Sequence, residues 1–315
     1  MCTAVGRRTS SLPPLLYRRL PSPSESSSTR VCGSRPIGQN DSLVRLIATD
    51  LDGTLLRSDG ETVSERTRRA LAAARDTGIT IVLVSARGPI GVGDVADASG
   101  CDGLAICSNG GLVLDLASRE VVDHRPLASD VAAQMIRALR ARLPNVCFAT
   151  ETEGVFALEP AFKGAWDWEP PAGTQYADAL ELVAAPVTKL IARDATCSVA
   201  ELAAAAREVA GDAAAVAMSG EWVVEISAAG VNKAAALKEL AADLGVEPAE
   251  VVAFGDYPND LPMLEWAGRS IAPANAHPDV LARVDEVTAS NDDDGVALAI
   301  ERLLARAGTR RLAGR

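Results

Sequence analysis

The fold class is decided by residues 43–54, which read LVRLIATDLDGT. The first six residues are apolar except for Arg45, and the run then ends abruptly in a polar cluster. A short apolar run followed by polar residues is typical of a buried strand that leads into a loop. Residues 79–88, ITIVLVSARG, and residues 103–111, GLAICSNGG, repeat this pattern. We therefore expect three buried strands, each with polar residues at its carboxyl end.

The spacing of these strands predicts an α/β fold. An amphipathic helix over 64–77, stopped by Gly78, separates the first two strands. Buried strands that alternate with helices form a doubly wound parallel sheet of the Rossmann-like type. The alternation resumes with a helix over 234–244 and a strand over 250–254. Ligands of such sheets bind beyond the carboxyl ends of the strands, where the polar clusters of this chain lie.

The chain divides into a core, an insertion and two tails. We assign residues 41–111 and 229–308 to the Rossmann-like core. Residues 112–228 follow the order strand, helix, strands, helix, strand, which predicts an inserted α+β cap domain with an antiparallel sheet. Residues 1–40 are rich in Ser, Pro and Arg and contain one acidic residue. They are predicted to be a disordered tail or the product of a misplaced start, with a targeting segment as the alternative, and 309–315 form the second tail.

Composition excludes several classes of protein. The chain has 315 residues, a formal net charge of −11 and 3% aromatic residues. Its acidic balance argues against a nucleic-acid partner, because such binding needs basic side chains that neutralise phosphates. The lack of a run of about 18 uncharged apolar residues argues against a membrane partner. The chain has six cysteines without a C-x-x-C pair and only two histidines, a composition that argues against a zinc site. The same cysteine pattern favours reduced thiols in a cytoplasmic protein.

Two carboxylates at the end of the first strand can do acid–base chemistry. Asp50 and Asp52 flank Leu51, so both carboxylates lie on the same side of an extended chain. One can stay ionised as a nucleophile or metal ligand while the other, with a raised pKa, donates and accepts a proton. This pair alone also fits a metal-dependent glycosyltransferase.

Other polar clusters extend this chemistry towards phosphoryl transfer. Residues 255–260, GDYPND, supply hard oxygen ligands suited to Mg²⁺. Ser85 can donate a hydrogen bond to a phosphate oxygen. Lys233 offers a point positive charge in an otherwise acidic site, which phosphoryl transfer requires.

Taken in order, these clusters resemble the four motifs of the haloacid dehalogenase (HAD) superfamily. The motifs are DLDGTL at 50–55, Ser85, Lys233 and GDYPND at 255–260. The long insertion, together with SNGG at 108–111 and FGDYPNDLPML at 254–264, is similar to the Cof-type phosphatases with a type IIB cap. The resemblance covers residues 43–305 and implies a magnesium-dependent phosphatase.

The resemblance implies roles for three aspartates. Asp50 would attack phosphorus and form an aspartyl-phosphate, which divides one difficult displacement into two. Asp52 would protonate the leaving alcohol and then activate the water that hydrolyses the intermediate. Mg²⁺ would lie between the Asp50 carboxylate, the Asp52 backbone carbonyl and Asp256.

The resemblance also implies a set of supporting residues. Asn259 and Asp260 would support the metal loop or position Lys233. The phosphate would be bound by Ser85, by Lys233 and by the backbone amides of Gly53 and Thr54.

Substrate choice is assigned to the cap and to two asparagines near it. Within the aromatic segment 162–168, FKGAWDW, Lys163 or Trp166 would meet the leaving group, or else the rings would pack the interior of the cap. Asn109 follows the third strand and faces the same crevice, and Asn275 is expected to line it as well. Arg87 is expected to be a surface or structural residue.

These observations predict a magnesium-dependent phosphatase of small phosphorylated metabolites, with sugar phosphates as the first choice of substrate. Within the superfamily, the alternative is a phosphomutase, which returns the phosphoryl group to its substrate. An alternative of another class is a phospho-sugar-binding regulatory protein without turnover, although Asp52 would then have no role.

Overall fold

The computed structural model describes residues 43–163, 174–218 and 222–313. The predicted tail at 1–40 lies outside this range. In chain order, the described strands are β1 (Leu46–Thr49), β2 (Thr80–Val84), β3 (Leu104–Cys107), β4 (Leu112–Asp115), β5 (Val121–His124), β6 (Cys147–Thr152), β7 (Val155–Leu158), β8 (Gln175–Tyr176), β9 (Lys189–Arg193), β10 (Ala214–Met218), β11 (Val224–Ala228), β12 (Val251–Phe254), β13 (Arg269–Ala272) and β14 (Glu286–Val287). The described helices are α1 (Glu65–Asp76), α2 (Pro89–Ser99), α3 (Ser129–Arg142), α4 (Pro160–Lys163), α5 (Ala179–Leu182), α6 (Val199–Ala210), α7 (Lys233–Asp243), α8 (Leu261–Trp266), α9 (Pro278–Leu281) and α10 (Gly295–Ala313).

The core is one sheet of eight strands in the order β14-β13-β12-β1-β2-β3-β4-β5. Strand β1 pairs in parallel with β12 on one side and with β2 on the other. Its side chains alternate between two hydrophobic clusters: Ile47 packs with residues of α1, α2 and α10, whereas Leu46 and Ala48 pack with residues of α7 and α8. All three are fully buried. A parallel strand covered by helices on both faces needs such a continuous apolar run, so the predicted α/β core is confirmed.

The helix predicted after β1 forms as its sequence suggests. The side chain of Ser64 accepts a hydrogen bond from the backbone N–H of Thr67 and so caps the first turn of α1. Ala70, Leu71 and Ala74 form the buried stripe of the helix, since Ala74 lies four residues after Ala70 and three after Leu71.

The edge of the core sheet differs from the sequence-based boundary. Strands β4 and β5 were assigned to the insertion, which was placed at 112–228, but they extend the core sheet as an antiparallel hairpin next to β3. Ser108, Asn109 and Gly110 have φ values of 50°, 57° and 99° and turn the chain back on itself. A turn this short leaves no room for a crossover helix, so the next strand pairs antiparallel with β3. At the other end of the chain, α10 continues to Ala313, through most of the predicted C-terminal tail.

The cap has its own mixed sheet in the order β10-β11-β9-β6-β7-β8. On one face, Phe148, Leu190 and Val224 pack with residues of α3 and α6. The opposite face includes Ala149 and Ile191, which line a cavity together with Asp52 and Arg87 of the core. The predicted inserted α+β cap is thereby confirmed. No helix among the described residues is both long and apolar enough to cross a membrane.

Candidate active site

The site lies where neighbouring strands of the core sheet end. Asp50 directly follows β1, Ser85 directly follows β2, and the loop 255–260 directly follows β12. Because β1 lies between β2 and β12, these three polar segments meet at one edge of the sheet. Lys233 joins them as the first residue of α7.

Lys233 links two of the aspartates. Its Nζ lies 2.5 Å from Oδ1 of Asp50 and 2.6 Å from Oδ1 of Asp260. All three residues are buried. Burial alone would lower the pKa of Lys233, but the facing carboxylates of Asp260 and Asp50 outweigh it and raise that pKa. Lys233 is therefore a fixed positive charge beside the carboxylate that was predicted to attack phosphorus.

Asp256 completes a group of carboxylates that fits a divalent cation. One oxygen each from Asp50, Asp256 and Asp260 lies within 4.8 Å of the others. Burial, followed by repulsion from Asp260, raises the pKa of Asp256 to about 6 and the pKa of Asp50 well above its usual value. Buried carboxylates that repel one another are stabilised by a cation, and hard oxygen ligands suit Mg²⁺.

The two oxygens of Asp260 already have partners. Oδ1 accepts from Lys233, and Oδ2 accepts from the backbone N–H groups of Asp256 and Tyr257, both at 3.0 Å. This geometry is compatible with both predicted roles of Asp260, because one oxygen holds Lys233 and the other holds the backbone of the metal loop. The neighbouring Asn259 donates to Oδ1 of Asn109 at 3.0 Å.

Gly53 and Thr54 hold Asp256 in place. Thr54 donates its hydroxyl to Oδ1 of Asp256 at 2.7 Å. Gly53 has φ of +74°, and a Cβ atom there would overlap the Asp256 carboxylate. Asn275, expected to line the crevice, is an exposed residue that donates to the carbonyl of Gly53 at 2.8 Å. Asn275 therefore contacts the loop that follows Asp50 in the chain.

Replacing Gly53 with Ala tests this close approach. We expect kcat/KM to fall about 10²-fold, because Asp256 must move from its position. Gly78→Ala is the matched control: Gly78 also has positive φ, +88°, but no atom lies within 4 Å of its would-be Cβ. Both variants should lose about 1 kcal/mol of unfolding free energy from backbone strain. Steady-state kinetics and urea denaturation measure the two effects, and equal activity in both variants would contradict the expectation.

Asp52 is not a member of the group formed by Asp50, Asp256 and Asp260, and it pairs instead with Arg87. Its half-exposed carboxylate accepts two hydrogen bonds from Arg87, one from Nε at 2.8 Å and one from Nη2. The hydrogen bond that Arg87 donates to Asp52 raises the pKa of Arg87 despite the partial burial of the guanidinium. Arg87 was expected to have a surface or structural role, and the structure instead places it against the predicted acid–base residue. Its position two residues after Ser85, in the same loop, was a signal for this placement.

Ser85 is fully buried, and its Oγ accepts a hydrogen bond from the backbone N–H of Arg87 at 3.0 Å. The hydroxyl can still donate its proton. Of the predicted cap contacts, Trp166 and the side chain of Lys163 lie outside the described residues.

A buried charged cluster joins the cap to the core. Lys189 of β9 lies 2.6 Å from Glu225 of β11 and 3.1 Å from Glu151 of β6, and it donates to the backbone carbonyl of Ala86 at 2.8 Å. Ser108 of the core donates to Glu151 at 2.8 Å. Asn109, predicted to lie near the substrate, donates to Glu225. These contacts connect the cap sheet to the loops that follow β2 and β3.

Lys189→Met is expected to lower the free energy of unfolding by about 3–5 kcal/mol, because it leaves two buried carboxylates without a cation. Urea denaturation measures this loss. Adding Glu151→Gln and Glu225→Gln removes the uncompensated charges, so the triple variant should be more stable than the single one. A single variant as stable as the wild type would contradict the proposed importance of this cluster.

Comparison with known proteins identifies the family. A model of the haloacid dehalogenase-like hydrolases matches residues 47–300. This chain belongs to that family. Bacillus subtilis YxeH is 31% identical over 269 residues, which cover 83% of this chain and 99% of YxeH. The 5-amino-6-(5-phospho-D-ribitylamino)uracil phosphatase YcsE of B. subtilis is 28% identical over 264 residues, covering 84% of this chain and 97% of YcsE.

A solved structure shares the fold. The HAD subclass IIB sugar phosphatase BT4131 superposes with a TM-score of 0.70 at 22% identity, covering 82% of this chain and 98% of BT4131. The Cof-type, subclass IIB membership predicted from the long insertion and from the segments 108–111 and 254–264 is confirmed, and the chain is a HAD-type phosphatase.

Proposed function

We propose that this HAD-type phosphatase hydrolyses monoesters of small phosphorylated metabolites through an aspartyl-phosphate on Asp50, with Mg²⁺ as cofactor. The observation that carries the proposal is the position of Asp50: it lies 2.5 Å from the buried ammonium of Lys233 and within a cluster of carboxylates. A nucleophilic carboxylate next to a fixed cation can approach a phosphate dianion, because the ammonium attracts the phosphate oxygens.

The first half of the reaction transfers the phosphoryl group to the protein. A carboxylate oxygen of Asp50 forms a bond to phosphorus while the bond to the ester oxygen breaks. The leaving oxygen takes a proton from the carboxyl group of Asp52, which must be protonated at that moment. In the structure the Asp52 carboxylate is hydrogen-bonded to Arg87, so proton delivery to the ester requires Asp52 to turn from Arg87 towards it.

The second half of the reaction hydrolyses the aspartyl-phosphate and regenerates the free carboxylate of Asp50. Asp52, now ionised, takes a proton from a water molecule whose oxygen attacks phosphorus. The bond between phosphorus and Asp50 breaks, and inorganic phosphate leaves. Ser85, Lys233 and the backbone amides of Gly53 and Thr54 would bind the phosphoryl oxygens in both halves.

Mg²⁺ would be held by the carboxylates of Asp50 and Asp256 and by the backbone carbonyl of Asp52. When bound, it supplies positive charge that offsets the negative charge on the transferring group. Asn259 and Asp260 would support this loop, since both oxygens of Asp260 are already used by Lys233 and by backbone N–H groups.

The test is phosphate release from a panel of esters, measured with Mg²⁺ and with EDTA. The panel contains sugar phosphates, nucleotides, cofactor phosphates and one activated aryl phosphate. Sugar phosphates are the substrates predicted from the sequence. The panel also includes 5-amino-6-(5-phospho-D-ribitylamino)uracil, the compound in the name of the relative YcsE. Turnover that requires the metal and disappears in Asp50→Asn supports the proposal.

Two outcomes oppose it. Transfer of the phosphoryl group to another hydroxyl of the substrate, without release of phosphate, identifies a phosphomutase. Failure to hydrolyse any ester, the aryl phosphate included, favours a binding protein.

A further inference from the structure

A cavity of about 670 Å³ lies between the predicted acid–base residue and the cap sheet. It is lined by Asp52 and Arg87 of the core and by residues of β6, β7, β9 and α4 of the cap. Its size is within the range of small-molecule sites and exceeds what a phosphate alone needs. A leaving group protonated by Asp52 would therefore extend into this cavity.

Most of the described cap residues that line the cavity are apolar, and Lys189 and Glu225 are the charged ones. Leu158, Ala149 and Ile191 are cross-strand neighbours on β7, β6 and β9 and form a row across the open face of the sheet. Phe162 and Val223 belong to the same hydrophobic cluster. Phe156 packs against the cluster and also lines the cavity. On the core side, Ile90 lines the cavity and keeps 63% of its surface exposed.

The cations of this lining are engaged with protein groups. Lys189 donates to Glu225 and to the carbonyl of Ala86. Arg87 donates to Asp52 and, at 2.6 Å, to the carbonyl of Gly60. The hydroxyl groups of a sugar placed against the apolar row would lose water without gaining partners there, which is costly. A flat ring without hydroxyl groups would gain from the same contact.

We propose that the preferred substrates are phosphate esters whose leaving group carries an aromatic or heteroaromatic ring, and that this ring packs against Phe156, Ile191 and Leu158. The inference rests on the proposed function, since it concerns the leaving group of the same reaction. It narrows the substrate class from small phosphorylated metabolites in general to phosphate esters with a ring-bearing leaving group.

The test compares two primary alkyl phosphates whose chemical reactivity is similar, phenethyl phosphate and ribose 5-phosphate. We expect kcat/KM to be at least about tenfold higher for phenethyl phosphate, the scale on which apolar contacts discriminate between substrates. Phe156→Ala should lower kcat/KM for phenethyl phosphate about tenfold and leave ribose 5-phosphate nearly unchanged.

Val155→Ala is the matched control, because Val155 precedes Phe156 on β7, is 61% exposed and does not line the cavity. The Val155→Ala substitution should leave kcat/KM unchanged for both substrates. Competitive inhibition by phenethylphosphonate, compared with ethylphosphonate, measures the contribution of the ring to binding without turnover.

The outcomes separate this inference from the proposed function. Two results would overturn the ring preference and leave the phosphatase proposal intact. One is metal-dependent turnover that favours ribose 5-phosphate. The other is a Phe156→Ala variant whose kcat/KM falls equally for both substrates. No hydrolysis of any ester, the activated aryl phosphate included, overturns both. A ring preference that is lost in Phe156→Ala and kept in Val155→Ala supports both.

Discussion

Asp50→Asn is expected to lower kcat on every ester by at least about 10³-fold, because an amide cannot act as the nucleophile. The variant should nevertheless be no less stable than the wild type in EDTA. Burial and the charge of Asp260 raise the pKa of Asp50, and a carboxyl whose pKa is higher in the folded than in the unfolded chain destabilises the fold once it ionises. Asn removes that charge, and Lys233 keeps its ion pair with Asp260.

Phosphate release and thermal unfolding measure these two expectations on the same samples. Asp97→Asn is a control for the loss of a carboxylate, because Asp97 is an exposed residue on α2. It should leave turnover unchanged. An Asp50→Asn variant that retains turnover, while its fold is intact, would contradict the role given to Asp50.

Lys233→Met is expected to have the larger effect on stability. The substitution leaves Asp50 and Asp260 facing each other in a buried site without the ammonium that lies 2.5 Å and 2.6 Å from them. Removing one partner of a buried ion pair costs about 3–5 kcal/mol. We expect a loss of this size in urea denaturation in EDTA, together with loss of turnover, since the phosphate also loses its binding cation.

Lys238→Met provides the comparison, because Lys238 is an exposed residue of the same helix, α7. Its replacement should change stability by less than about 0.5 kcal/mol. If Lys233→Met were as stable as Lys238→Met, the two aspartates would not depend on Lys233, and the electrostatic account of the site would fail.

The core could be predicted because its strands carry an unambiguous pattern. β1, β2 and β12 are short apolar runs buried on both faces, and each ends in polar residues. Helix α2 was harder to predict, since two glycines weaken its helix propensity. Its formation depends on tertiary packing, in which Val92, Val95 and Ala96 are buried against the core.

The candidate site also has one part that could be predicted from the sequence and one part that could not. Asp50, Ser85 and Asp256 could be placed together because each follows a strand of one parallel sheet. The cluster of Glu151, Lys189 and Glu225 could not, because its members lie on separate cap strands and meet the core only after the insertion has folded over it. Glu225, for example, contacts Asn109 across 116 positions of sequence. The local signal was the presence of charged residues within these largely apolar strands.

The most direct test of the account is to trap the aspartyl-phosphate. Asp52→Asn removes the group that activates water, while the aryloxide of an activated aryl phosphate leaves without needing a proton donor. After mixing this variant with the aryl phosphate and Mg²⁺, acid quench and peptide mass spectrometry should find one phosphoryl group on Asp50. The double variant Asp50→Asn, Asp52→Asn should carry none. Release of the aryl alcohol without a phosphoryl group on Asp50, or a phosphoryl group on another residue, would contradict the central claim.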